Sequence, residues 1–149
     1  MPKMTAMIVE YSISQVSKLL NLPSSTIRYY DSLNLLPNLQ KSAQGVRRFS
    51  PDDLNTLRVI DCLKRAGLSM KEIKRFSELS AEGDASIEAR RALFYHARDE
   101  FSQKLAEMQE TMDVLNFKCR YYDQALADGT EEQVQKDLPL SEIVPIPEH

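Results

Sequence analysis

Along the first 80 positions the apolar residues fall in short helical runs, each opened by a polar cap and closed by a breaker. Ser12-Ile13-Ser14-Gln15 has the Ser-x-x-Gln form of a capping box, in which hydroxyl and amide each satisfy a backbone N–H at a helix start. Val16, Leu19 and Leu20 follow at helical spacing, and Asn21-Leu22-Pro23 ends that helix near Leu20. A second helix is predicted from about Ser24 to Leu33, with Ile27, Tyr30 and Leu33 spaced for burial. Asn34 stands where it must stop, and Asn tolerates the left-handed conformation best after Gly. Two short helices joined by a tight turn form a helix-turn-helix unit.

From Pro37 to Phe49 the helical period disappears. With Gln44-Gly45 as its turn and Val46-Arg47-Arg48-Phe49 alternating apolar and basic, the stretch reads as a short hairpin. Ser50-Pro51-Asp52-Asp53 opens a third helix with a Ser cap, Pro at the first position and acids in the first turn. That helix reaches Ala66 and stops at Gly67, and a further capping box, Ser69-Met70-Lys71-Glu72, opens a fourth to about Leu79. The predicted fold is all-α with a small β-hairpin wing, and residues 1–80 form a winged helix-turn-helix domain.

A different pattern governs residues 87–126. Steps of four and three give Ile87, Arg91, Phe94, Arg98, Phe101, Leu105, Met108, Met112, Leu115, Cys119, Tyr122 and Leu126, of which ten of twelve are apolar or weakly polar. A seam sustained that far predicts a coiled coil. A helix of about 40 residues would be roughly 60 Å long, too long to bury its stripe on so small a head. Residues 81–128 therefore read as a linker and a coiled-coil dimerisation helix, in which Phe101, Leu105, Met108, Met112, Leu115, Cys119 and Tyr122 meet the partner of a homodimer. Residues 129–149 read as an acidic, Pro-containing tail.

Composition narrows the function. A chain of 149 residues is one or two small domains, too short for a large α/β enzyme and its cofactor. Hydrophobic residues at 42% and charged residues at 28% fit an ordered globular chain. No apolar run approaches the ~18 residues of a membrane span, and MPKMTAMIVEYS is no signal peptide. Two Cys, 57 positions apart, make neither a disulfide framework nor a Cys-rich metal cluster, so a cytoplasmic location with free thiols is the default. The net charge of −3 hides a division: residues 1–75 carry 12 basic against 6 acidic side chains, the remainder 7 against 16. A basic head on an acidic body suits a polyanion partner. No paired His, phosphate-cradling Gly loop or carboxylate dyad marks an enzyme, and no cofactor or resident metal is expected.

Thr26-Ile27-Arg28-Tyr29-Tyr30-Asp31, Leu35-Leu36-Pro37, Arg47-Arg48-Phe49 and Ala66-Gly67-Leu68-Ser69, in this order and followed by a long helix, resemble the MerR family of transcription regulators. The resemblance spans the whole head. It implies a homodimer whose long helices pair antiparallel, with each head entering a major groove of double-stranded promoter DNA. It also implies an inverted-repeat operator in a promoter with an overlong spacer, distorted so that RNA polymerase can use it when an effector binds. Ser24, Ser25 and Thr26 sit at the start of the second helix, the end that faces base edges and phosphates. Arg28 suits a guanine edge or a phosphate, and Tyr29 offers a phenol to the backbone. Lys41, Arg47 and Arg48 on the wing, with Lys71 at a helix start, would neutralise phosphates, while Tyr30 faces the core. Two positions depart from the family pattern: Asn34 replaces a Gly, and Pro23 replaces the Ser or Thr that caps the second helix.

Metal-sensing members carry Cys at the start of the long helix and beyond it. Here Ile87, Glu88 and Ala89 stand at that start and no Cys follows Cys119, so the two or three thiolates that a soft metal needs are lacking. The roughly 20 tail residues are too few for the added ligand domain of multidrug-sensing members. Cys62, within Ile60-Asp61-Cys62-Leu63-Lys64-Arg65-Ala66-Gly67-Leu68-Ser69, resembles the single functional Cys of the aldehyde-responsive subgroup, as do Glu82-Gly83-Asp84 and Glu88-Ala89-Arg90. Val59, Cys62 and Ala66 form a second stripe on the third helix, and Lys64 and Arg65 would favour thiolate toward a small electrophile. Cys is also a common buried apolar residue, so both roles stay open at Cys62. Cys119 reads as seam filler. Two alternatives remain: a non-covalent effector at the dimer interface, and a purely architectural DNA-binding dimer.

Overall fold

In a computed structural model that describes residues 9–137, the predicted elements form in the predicted order. Helix α1 spans Ile13–Leu20 and α2 Ser24–Ser32. Strands β1 (Gln40–Lys41) and β2 (Arg47–Arg48) pair antiparallel as the wing. Helix α3 covers Pro51–Arg65 and α4 Met70–Ala81. A 3-10 turn over Gly83–Ser86 leads into α5, Ile87–Asp128, and α6 follows over Glu132–Asp137. The described residues divide into two compact units, the division falling between Arg98 and Asp99.

In the first unit the caps fix where helices start. Ser12, Ser50 and Ser69 each accept from the backbone N–H three residues on, and Gln15, Asp53 and Glu72 each accept in return from the cap's own N–H. At Ser69 the returning bond is 2.7 Å, and with the Ser69 hydroxyl it holds the Glu72 carboxyl below the usual glutamate range. Asn21 and Asn34 adopt φ of 52° and 64°, so an Asn turns the chain in the left-handed region after each of the first two helices. Pro23 gives α2 no side-chain cap, and its carbonyl accepts from the N–H groups of Thr26 and Ile27 at 3.0 and 3.2 Å instead.

The head core joins Val16 of α1, Ile27 and Tyr30 of α2, Leu35, Phe49 at the end of the wing, Leu57, Ile60 and Leu63 of α3 and Ile73 of α4. All are nearly or wholly buried, and each large apolar side chain so placed contributes about 1.5–3 kcal/mol. Leu33 is only partly buried, because α2 ends at Ser32 and leaves Leu33 on the turn. Tyr11 and Phe49 exchange backbone hydrogen bonds of 2.8 and 2.9 Å, tying the segment before α1 to the wing. The join between α4 and α5 is held by hydrogen bonds: the buried Ser86 hydroxyl donates to the carbonyls of Leu79 and Gly83, and Arg90 donates to Ser86 Oγ and to the Gly83 carbonyl. Ala97 of α5 closes the core.

The second unit holds an element the sequence pattern does not reveal. Val134 of α6 is buried with Phe117, Tyr121 and Ala125 of α5, so part of the stretch read as tail is a helix packed back on the long one. EQVQKD has one apolar side chain, and one position makes no period. Burial raises the Tyr121 phenol above its ordinary range. The prolines at 139, 145 and 147, which mark the tail as Pro-containing, lie outside the described residues.

Candidate nucleic-acid interface

Burial of Ile27 and Tyr30 sets the rotation of α2, and the opposite face, one and two turns along, carries Ser25, Arg28 and Tyr29 outward. Tyr29 is 48% exposed with its ring tilted against Tyr30, centroids 6.2 Å apart. Ser24 and Thr26 are half-buried beside Ser25 at the helix start, where the helix dipole favours an anion. Tyr30 is wholly buried as expected, although its hydroxyl has no hydrogen-bond partner among the described residues. Lys71 is exposed in the first turn of α4.

The wing is built around Ser42 and Gly45. The Ser42 hydroxyl accepts from the N–H groups of Gln44 and Val46, and Gly45 takes φ of 80°, open to Gly without strain. Register sets Gln40 opposite Arg48 and Lys41 opposite Arg47. The wing cations are not bare. Arg47 Nε donates to Asp31 Oδ2 at 2.8 Å, Lys41 Nζ lies 3.4 Å from the same oxygen, and Arg48 Nη1 pairs with Glu10 at 3.3 Å. Sequence reasoning singles out the three cations and passes over Asp31 and Glu10. Their partners are 16 and 38 residues away, and no local period reports a contact at that separation.

Cys62 is exposed on α3, so its thiol is not core filler of its own head. Its basic neighbours are engaged elsewhere: Arg65 pairs with Asp61 at 3.0 Å, and Lys64 stands over the Tyr30 ring at 5.8 Å. On α5 the predicted seam is laid bare on the single chain. Phe101, Leu105, Met108, Met112, Leu115 and Tyr122 are all exposed, as is Cys119. The face that α6 covers is a separate one, through Phe117, Tyr121 and Ala125. Among the described residues no three His, Cys, Asp or Glu side chains cluster to hold a metal ion, and no helix is long and apolar enough to cross a membrane.

Comparison with known proteins fits this arrangement. Residues 11–79 match the family model described as MerR HTH family regulatory protein, and residues 54–116 match the one described as MerR, DNA binding. An uncharacterized HTH-type transcriptional regulator of Haemophilus influenzae is 36% identical over 124 residues, 83% of this chain and 92% of that protein. Among solved structures, HiNmlR, a MerR family regulator lacking the sensor domain and bound to promoter DNA, superposes with a TM-score of 0.78 at 35% identity, covering 85% of this chain and 96% of that one. A MerR family transcriptional regulator from Bacillus thuringiensis gives 0.68 at 34% identity, covering 75% and 98%.

Proposed function

Since the chain belongs to the MerR family and is a DNA-binding transcriptional regulator, we propose that it works as a homodimer on an inverted repeat within a promoter of overlong spacer. Its two heads distort that promoter so that RNA polymerase can initiate. The observation that carries this reading is the outward face of α2, where Ser25, Arg28 and Tyr29 stand clear of the core. In the proposal Arg28 reads a base edge or grips a phosphate, and Ser24, Ser25 and Thr26 dock the helix start on the backbone. Tyr29, Lys41, Arg47, Arg48 and Lys71 make the sequence-independent contacts that fix register. The exposed α5 stripe supports a second copy as its cover, in an antiparallel coiled coil. Footprinting on the inverted repeat, followed by transcription from the same template, tests both halves: protection without a change in transcript would leave only an architectural protein.

For the effector, we propose a small electrophile, an aldehyde among them, acting in the cytoplasm at Cys62. The support is an exposed thiol on the stripe with Val59 and Ala66, just before the Ala66-Gly67-Leu68-Ser69 turn. The thiolate adds to the carbonyl carbon, the carbonyl oxygen takes up the proton, and a hemithioacetal forms with no other reagent consumed. A side chain enlarged at that point changes packing between two DNA-bound shapes, and an effector acts only through such a difference. Cys62→Ala is expected to fold, dimerise and hold the operator without responding to aldehyde, while Cys119→Ala responds normally. A response retained by Cys62→Ala transfers the role to a non-covalent ligand at the dimer interface.

A further inference from the structure

In the wing ladder the cations Lys41 and Arg47 are cross-strand partners. Like charges directly opposite repel, and a hairpin with two residues per strand has little else to hold it. Asp31, in the last turn of α2, answers the repulsion, since one carboxylate oxygen takes the Arg47 Nε hydrogen bond and also faces Lys41 Nζ. The Asp31 and Arg47 side chains are only 13% and 27% exposed, so water and salt screen this pair less than a surface one. Alone, an acid one turn on from Arg28 would repel DNA phosphate. The geometry gives it another part. A guanidinium offers five N–H donors in a planar fork. This pair engages Nε, and among the described residues the two terminal nitrogens have no protein partner. A carboxylate on Nε fixes the plane of the fork and leaves its outer donors for a second anion.

We propose that Asp31 is a positioning residue for DNA recognition: it locks the wing to α2 and holds Arg47 so that the terminal guanidinium nitrogens meet one backbone phosphate, which Lys41 also neutralises. The proposal rests on the DNA-binding reading and adds a residue to it. Two cations and one acid leave the cluster with a single net positive charge, matched to one phosphodiester. Asp31 thus lowers the bare charge of the wing, and in return fixes where that charge is delivered relative to the base-reading face of α2.

The test compares the wild-type protein with Asp31→Asn, Arg47→Lys and the double variant, measuring affinity for operator and for random duplex DNA across a salt series. Asp31→Asn is expected to lose about tenfold in operator affinity, the size of one charged hydrogen bond, while its affinity for random DNA holds or rises. Arg47→Lys keeps the charge but cannot offer Nε and two outer donors together, so a similar loss is expected. The double variant should be no worse than either single, because both changes break one device. Asp31→Glu should recover part of the loss. Operator and random affinity rising together in Asp31→Asn would overturn the proposal, since the acid would then only repel. Additive losses in the double variant, or no loss in either single, would overturn it equally. If Asp31→Asn fails to fold, Arg47→Lys against wild type still decides through the operator-to-random ratio. A wild-type protein with no preference for operator would instead overturn the DNA-binding reading itself.

Discussion

Arg28 stands on the outward face of α2 between buried Ile27 and Tyr30, three residues before the helix meets the wing through Asp31. Arg28→Ala is expected to weaken operator binding by about 1–3 kcal/mol and to relax preference at one base pair if the contact is to a base edge. Competition between operator and single-base variants measures this, and an equal loss for every sequence would place Arg28 on phosphate instead. Arg48, exposed and paired with exposed Glu10, is placed by the proposal in the sequence-independent group. Its replacement by Ala is expected to flatten the salt dependence of binding by about one phosphate's worth of counterion release. At this scale the sequence is legible wherever one residue's chemistry suffices. The outward Arg28 and Tyr29 follow from the apolar spacing of Ile27 and Tyr30. The counter-charges Asp31 and Glu10 do not, because an ion pair between an α2 residue and a wing residue depends on how the chain is folded across it.

Among elements, the cap-and-breaker grammar carries furthest. Ser12, Ser50 and Ser69 each nucleate a helix where a capping pattern stands, and Asn34 turns the chain after α2 with φ of 64°. Ser69→Ala is expected to cost about 1 kcal/mol through loss of the cap, seen as a lower Tm. The Glu72 carboxyl is held low chiefly by the Ser69 backbone N–H. Its ionised form is therefore favoured in the folded state, so the contribution is complete above the ordinary glutamate range and fades as pH falls through the lower folded value. Glu72→Gln keeps a bond acceptor and removes that acid-side slope, which a series of melting curves at falling pH would register. Two elements escape the pattern. The 3-10 turn at Gly83–Ser86 is held by Ser86 and Arg90 hydrogen bonds rather than by an apolar period. Helix α6 buries Val134 against Phe117, Tyr121 and Ala125 of α5, and only the folded chain brings that patch to it.

For the whole molecule, the apolar stripe from Phe101 to Tyr122 is the basis of the proposed dimer. These side chains repeat at coiled-coil spacing and are exposed on the single chain, whereas an ordinary surface helix hides its apolar face against its own domain. The basic head, the acidic body and the four-and-three spacing of the open stripe follow from the sequence, but the covering of a second face of the long helix does not. Phe117 and Tyr121 look as apolar as Leu115 and Tyr122 in the sequence, and only the return of α6 separates the covered face from the bare one. Replacing Leu105 and Met112 by Glu buries unpaired charge in the proposed seam, and sedimentation is expected to give monomers that no longer select the operator.

If two heads joined through α5 read one inverted repeat, as proposed, the stoichiometry of the complex must show it. Sedimentation of the protein with a duplex bearing the repeat, alongside a duplex with one half-site scrambled, is the measurement. Two protomers are expected per intact duplex, bound as one unit, with a steep loss of affinity when either half-site is scrambled. One protomer bound per half-site, with affinity unchanged when the other half is destroyed, would contradict it.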